Sequence, residues 1–184
     1  YVAHQPGRAA SINLRYRHDG RYFGPKAALR GGSLFGLNFM LHDVKKEVPF
    51  DEEAFANGGM RLIAVATNVK TGKPAYFEKG KTDFDFNEAA RASASLPLAS
   101  VPVMLDGQPY LDGGCSCPIA LNWALQQGFE KIVVVATRQK GFRKTQPGQR
   151  MVDLYDDFYG DQPLFLADLL TQELRYNALM DQLD

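Results

Sequence analysis

Residues 131–138 read KIVVVATR, and the fold is decided by how this stretch is taken. Six apolar or β-branched residues run unbroken between Lys131 and Arg138, which suits a strand buried on both faces and paired in parallel. A second run of the same kind, RLIAVATNV at 61–69, lies upstream and is turned by Thr71-Gly72 into AYFEKG, its expected hairpin partner. Between them, VPVML and QPYL flank the turn Asp106-Gly107 and lead into Asp112-Gly113-Gly114. Helical patterns alternate with these strands. They cover 8–16, a segment after Ser33 with Leu34, Leu37, Leu41 and Val44 at helical spacing, DEEAFAN behind Asp51, and NEAARASAS with Asn87 as cap. A further helix opens at Pro118 and stops at Gly128, and the tail 164–183 offers Leu166, Leu169, Leu170, Leu174 and Leu179 as its buried stripe. The alternation predicts an α/β fold: one mostly parallel sheet with 61–69 and 131–137 at its centre and helices on both faces.

The chain has 184 residues, 45% of them apolar and 23% charged, enough for one globular domain that needs no staple. Twenty-one Lys and Arg balance twenty-one Asp and Glu, so the overall basic footprint of a nucleic-acid binder is missing. The charge is nevertheless uneven: residues 1–50 hold eight bases against three acids, and residues 151–184 hold eight acids against Arg175. No apolar run approaches the length of a membrane span, the first residues do not read as a secretory signal, and a cytoplasmic protein is expected. The chain opens on Tyr1 and closes on Asp184 within a helical pattern, so residues 1–184 read as a single domain cut at both ends.

The residues that could carry chemistry are few. Gly31-Gly32-Ser33-Leu34-Phe35 and Gly114-Cys115-Ser116-Cys117-Pro118 approach G-x-S-x-G but lack its last glycine, and both serines read as helix caps. Cys115 and Cys117 have no histidine at ligand spacing among His4, His18 and His42, so no metal or cofactor is expected and the thiols read as small packed groups. TNVKTGK at 67–73 lacks phosphate-loop spacing and is a turn, and no G-x-G-x-x-G joins a strand to a helix. The basic stretch from Arg138 to Lys144, with Phe142 inside it, reads as a solvated loop or as a contact for phosphates or acidic headgroups. Asp112-Gly113-Gly114 stays open between an ordinary turn and a carboxylate at a strand end that glycines keep accessible.

An ordered set of features resembles the patatin-like phospholipases, in a bacterial branch: Thr67-Asn68, the Arg91 to Pro97 run RASASLP, Tyr110-Leu111-Asp112-Gly113-Gly114, Pro118-Ile119, and the closing VVVATR. The similarity runs through most of residues 1–144. It implies a three-layer α/β/α sandwich and a lipid acyl hydrolase with a Ser-Asp dyad, acting on a lipid or small ester and able to make peripheral membrane contact; the balanced charge already speaks against a nucleic-acid partner. Asp112 matches the family's catalytic aspartate, and Gly113 and Gly114 complete its motif. The serine elbow and glycine-rich oxyanion loop are then expected upstream of Tyr1, leaving the sheet incomplete on its N-terminal side, with no nucleophile in this chain and no activity from it alone. Cys117 and Ala120 depart from the residues usual after that motif. The alternative is a catalytically incomplete relative that binds acyl chains, a membrane surface or a protein through the loop 138–144.

Overall fold

The computed structural model of the chain describes residues 2–183; Tyr1 and Asp184, on which the reading of cut ends falls, lie outside them. Four strands form the sheet: β1 (Ile63–Asn68), β2 (Pro74–Glu78), β3 (Val103–Leu105) and β4 (Gln108–Asp112), in the order β2-β1-β4-β3. Every pair is antiparallel, with Val65 opposite Tyr76, Ala66 opposite Asp112 and Met104 opposite Pro109. The expected three-layer sandwich with a mostly parallel sheet is therefore not the fold of this chain.

Two tight turns account for two of the three antiparallel pairs, β1–β2 and β3–β4. At the first, Asn68 Oδ1 accepts from the N–H groups of Lys70 and Thr71 at 2.9 and 3.1 Å, and Gly72 closes the turn at φ 67°. At the second, Asp106 and Gly107 both take positive φ, 47° and 71°, the conformation that a two-residue hairpin loop between twisted strands requires.

The largest correction concerns 131–137, which forms no strand. Among the described residues, no backbone hydrogen bond ties 129–137 to a neighbour, and Val133 and Val135 are 87% and 82% exposed. The reason is the edges available. β1, the strand that a buried parallel partner would join, has one edge taken by β2 and the other by β4. The outer edges belong to β2, which opens on Pro74, and to the three-residue β3.

The helices are α1 (Arg8–Tyr16), α2 (Pro25–Gly31), α3 (Val44–Glu47, continuing a π-helical turn Phe39–Asp43), α4 (Glu52–Asn57), α5 (Phe86–Ser93), α6 (Leu121–Gln126), α7 (Gln149–Tyr159) and α8 (Pro163–Leu183). Asp51 caps α4 as expected, accepting from Ala54 N–H at 2.8 Å. The cap of α5 is Asp85, not Asn87. Ser33 caps nothing; it bridges to Ser100, with the two hydroxyls 2.7 Å apart. The helix expected from Pro118 starts only at Leu121, without a side-chain cap. Helices α2 and α7 fall in segments to which the sequence reading assigned no helix.

Packing divides by sheet face. Ala64 and Ala66 of β1 meet Ala89 and Ala92 of α5, where small side chains let helix and sheet approach closely, with Val103 and Leu105 beside them. On the other face Leu111 and Val69 meet Tyr159, Phe165 and Leu169 from α7 and α8. Burying side chains of the size of Leu111, Phe165 and Leu169 contributes roughly 1.5–3 kcal/mol each. Ile12, Tyr16, Phe39 and Val44 form a separate small core between α1 and α3. No described helix is long and apolar enough to cross a membrane.

Candidate functional site around Asp112

Asp112 ends β4, and its two glycines shape the turn on its C-terminal side. The chain passes at once into a 3-10 turn, Gly113–Cys115, closed by the Cys117 N–H donating to Gly113 O at 2.8 Å. A Cβ at Gly113 would lie 2.3 Å from the Val65 carbonyl oxygen, so only glycine lets the turn pass beneath β1. A Cβ at Gly114 would lie 2.8 Å from Asp112 Oδ1, in the space the carboxylate uses. The Gly114 N–H donates to that oxygen at 2.7 Å.

The main chain around the carboxylate is tied on both sides. Asp112 N–H donates to Ser95 O at 2.8 Å, which anchors the end of β4 to the segment after α5. The Thr67 hydroxyl donates to Asp112 O at 2.9 Å and lies 2.9 Å from Ser116 Oγ. Thr67 is fully buried, so this hydroxyl pair is a structural latch between β1 and the turn.

The carboxylate itself is left largely unengaged. Among the described residues, the Gly114 N–H is the one donor that reaches it. Burial pushes the Asp112 carboxyl above the ordinary carboxylate range, against the smaller opposing pulls of the Gly114 N–H and the Lys144 charge. It stands at the wall of a cavity of about 550 Å³, with Leu96, Ile119 and Leu169 among the apolar lining and Arg138 and Lys144 among the polar. That volume is in the range of small-molecule sites.

The Cys115 thiol is no nucleophile here. Burial, with the Asp112 and Asp168 carboxylates adding to it, pushes the Cys115 thiol up to about 12, which keeps it protonated. Cys117 Sγ lies 3.5 Å from the Tyr76 hydroxyl, and burial followed by that contact raises the Tyr76 hydroxyl to about 12. Among the described residues no group of three His, Cys, Asp or Glu could hold a metal ion.

Among the described residues, no serine is hydrogen-bonded to the Asp112 carboxylate. Ser33 is occupied with Ser100, and Ser116 with Thr67 in place of the expected helix cap. Ser95 is buried and donates to Arg91 O at 2.8 Å. Of the residues singled out in the sequence, Asp112 and Gly114 line the cavity and Gly113 lies beneath β1; the contribution of α7 and α8, whose Tyr155, Leu169, Gln172 and Tyr176 complete the cavity wall, was not foreseen. The motif signalled the carboxylate; nothing local signalled the distant wall.

No protein-family profile matches the chain. The sequence is similar to the uncharacterised protein YjjU of Escherichia coli (strain K12), with 29% identity over 141 residues. The match covers 74% of this chain and 39% of that protein, so the chain spans about two fifths of the relative's length.

Proposed function

We propose that this chain is the aspartate-bearing part of a lipid or ester acyl hydrolase of the Ser-Asp type, with Asp112 as the general base. The observation that carries the reading is the state of the Asp112 carboxylate: held by one N–H, raised by burial, and set in the wall of a partly apolar cavity. A carboxylate in water is a weak base at neutral pH, and desolvation moves its affinity for a proton toward what general-base catalysis requires. The resemblance around RASASLP and Asp112-Gly113-Gly114 supports the same assignment.

In the proposed reaction, Asp112 takes the proton of a serine hydroxyl supplied from outside this chain as the serine oxygen attacks the ester carbonyl. The alcohol leaves with a proton and the acyl group stays on the serine. Water then attacks the acyl ester as Asp112 accepts its proton; the bond between acyl carbon and serine oxygen breaks, Asp112 returns the proton to the serine oxygen, and the carboxylic acid is released. The Gly114 N–H engages Asp112 Oδ1, and among the described residues no donor reaches the second carboxylate oxygen, the atom assigned here to take the serine proton. The two free thiols, Cys115 and Cys117, are compatible with the reducing cytoplasm proposed as its compartment.

Full-length protein assayed with p-nitrophenyl butyrate tests the assignment. Asp112→Asn keeps the acceptor for Gly114 N–H but cannot take a proton, and is expected to lose on the order of a hundredfold to ten-thousandfold in rate while keeping its fold. A fluorophosphonate probe is expected to label a serine outside residues 1–184 and none of Ser11, Ser33, Ser93, Ser95, Ser100 and Ser116. Full activity in Asp112→Asn, or labelling at any of those six, sinks the proposal. A folded wild type without turnover favours the acyl-chain-binding alternative.

A further inference from the structure

The loop 138–144 sends two of its basic residues, Arg138 and Lys144, to the cavity beside Asp112, while Arg143 pairs with Asp181 at 2.6 Å. Lys144 is held by α8. Its N–H donates to Asn177 Oδ1 at 2.8 Å, and Asn177 Nδ2 donates back to the Lys144 carbonyl at 2.9 Å. Its Nζ stands 3.5 Å from Gln172 Oε1 and 5.1 Å from the centroid of the Tyr176 ring, both on α8. The Asn177 bonds fix the main chain at 144, and the Gln172 and Tyr176 contacts fix where its ammonium stands at the cavity wall. Arg138 is oriented in a similar way, its guanidinium carbon 5.1 Å from the Phe142 ring centroid.

The charge around the cavity is unbalanced. Among its lining residues Asp112 supplies one negative charge against the two positive charges of Arg138 and Lys144, and the Cys115 thiol stays neutral. An excess cation beside an apolar wall suits a ligand that carries both an anionic group and a hydrocarbon chain.

We infer that Lys144, assisted by Arg138, is the specificity-determining residue of this cavity and selects amphiphiles with an anionic group, phosphate or carboxylate, whose apolar chain lies along Leu96, Ile119 and Leu169. The inference rests on reading the cavity as the substrate site and adds the charge of the substrate to it. Lys144 acts on binding and takes no part in proton transfer.

Calorimetric titration of the full-length protein below micellar concentrations, with monododecyl phosphate, dodecyl maltoside and inorganic phosphate, tests this. Monododecyl phosphate is expected to bind at least about tenfold more tightly than the maltoside, because a charge-assisted contact is formed only by the former. Lys144→Met is expected to abolish that preference at an unchanged melting temperature, and Lys144→Arg to preserve it. Arg138→Gln, a change at an exposed position, is expected to weaken it by about threefold and gives a reading independent of the α8 clamp. Equal affinities for the two amphiphiles in the wild type, or a preference that survives Lys144→Met, overturns the inference. So does inorganic phosphate binding as tightly as monododecyl phosphate, which marks a site for free phosphate. Because the readout is binding, a wild type that shows the preference but hydrolyses no ester removes the hydrolase proposal and leaves this one standing.

Discussion

Gly113 and Gly114 stand side by side yet answer to different neighbours, and substitution separates them. A methyl group at Gly113 meets the Val65 carbonyl oxygen at 2.3 Å, a backbone atom in a paired strand, so the strand or the turn must move. Gly113→Ala is expected to cost about 1–3 kcal/mol by urea denaturation, the usual penalty of overpacking. At Gly114 the obstacle is the Asp112 carboxylate at 2.8 Å, a side chain that can rotate away. Gly114→Ala is therefore expected to lower the proposed esterase activity in full-length protein far more than it lowers the melting temperature. Asp112 has its own pH signature. Burial raises its folded carboxyl above the unfolded value, so its contribution to stability is complete below the unfolded carboxylate range, near about pH 4, and is lost as pH rises through the folded value. Asp112→Asn cannot ionise and escapes that loss. Its melting temperature relative to the wild type is expected to be more favourable at about pH 7 than at about pH 4; a difference that does not change with pH removes the buried-base argument. This part of the site was legible in the sequence because a close backbone approach demands glycine locally, whatever the rest of the chain does.

Helix α8 shows where a pattern within one element stops being informative. Its five leucines at 166, 169, 170, 174 and 179 offered a stripe, but the buried residues are Phe165, Leu169, Glu173, Tyr176, Leu179 and Met180. The helix is apolar around most of its circumference near its start, so composition alone does not choose a face. The choice is made by contacts remote in sequence. Gly72 lets the hairpin approach the helix, where a Cβ would lie 2.9 Å from Leu164 O and 2.6 Å from Asp168 Oδ2, and Phe165 then meets Tyr159 with ring centroids 5.1 Å apart. Arg175 pairs with Asp168 at 3.2 Å and donates to Cys115 O at 2.6 Å, tying the helix to the turn after Asp112. Two alanine substitutions read the face directly. Phe165→Ala, at a fully buried ring, is expected to cost about 3–5 kcal/mol in a denaturant titration. Leu174→Ala, at a residue 55% exposed, is expected to stay within about 0.5 kcal/mol of the wild type. Equal losses at the two positions would restore the leucine stripe.

At the scale of the whole molecule, β1 to β4, their hairpin turns and most helices could be read from sequence, whereas the absence of a strand at 131–137 and the order and direction of the strands could not. A run such as IVVVAT reports that a segment tolerates an extended, apolar setting; it does not report whether any strand edge is free to receive it. In this chain β1 is enclosed by its hairpin partner β2 and by β4, and a parallel partner for β1 would have to displace one of two ladders already formed. Residues 131–137 instead run along the surface toward the cavity, to which Val135, Ala136, Thr137 and Arg138 contribute. The two arrangements differ sharply in what charge they tolerate. In a central strand, lysine at 133 and 135 would bury two unpaired ammonium groups and prevent folding. With Val133 and Val135 at 87% and 82% exposure, the double variant Val133→Lys, Val135→Lys is expected to fold, with a stability change within about 1 kcal/mol of the wild type, the sum of two surface substitutions. Hydrogen exchange supplies a second reading on the unmodified chain: amides at 132–137, which have no described backbone partner, are expected to exchange orders of magnitude faster than those of Ala64 and Ala66 in the paired β1. Protection at 132–137 equal to that of β1, together with an unfolded double-lysine variant, would return this segment to the interior of a sheet and overturn the antiparallel topology described for the chain.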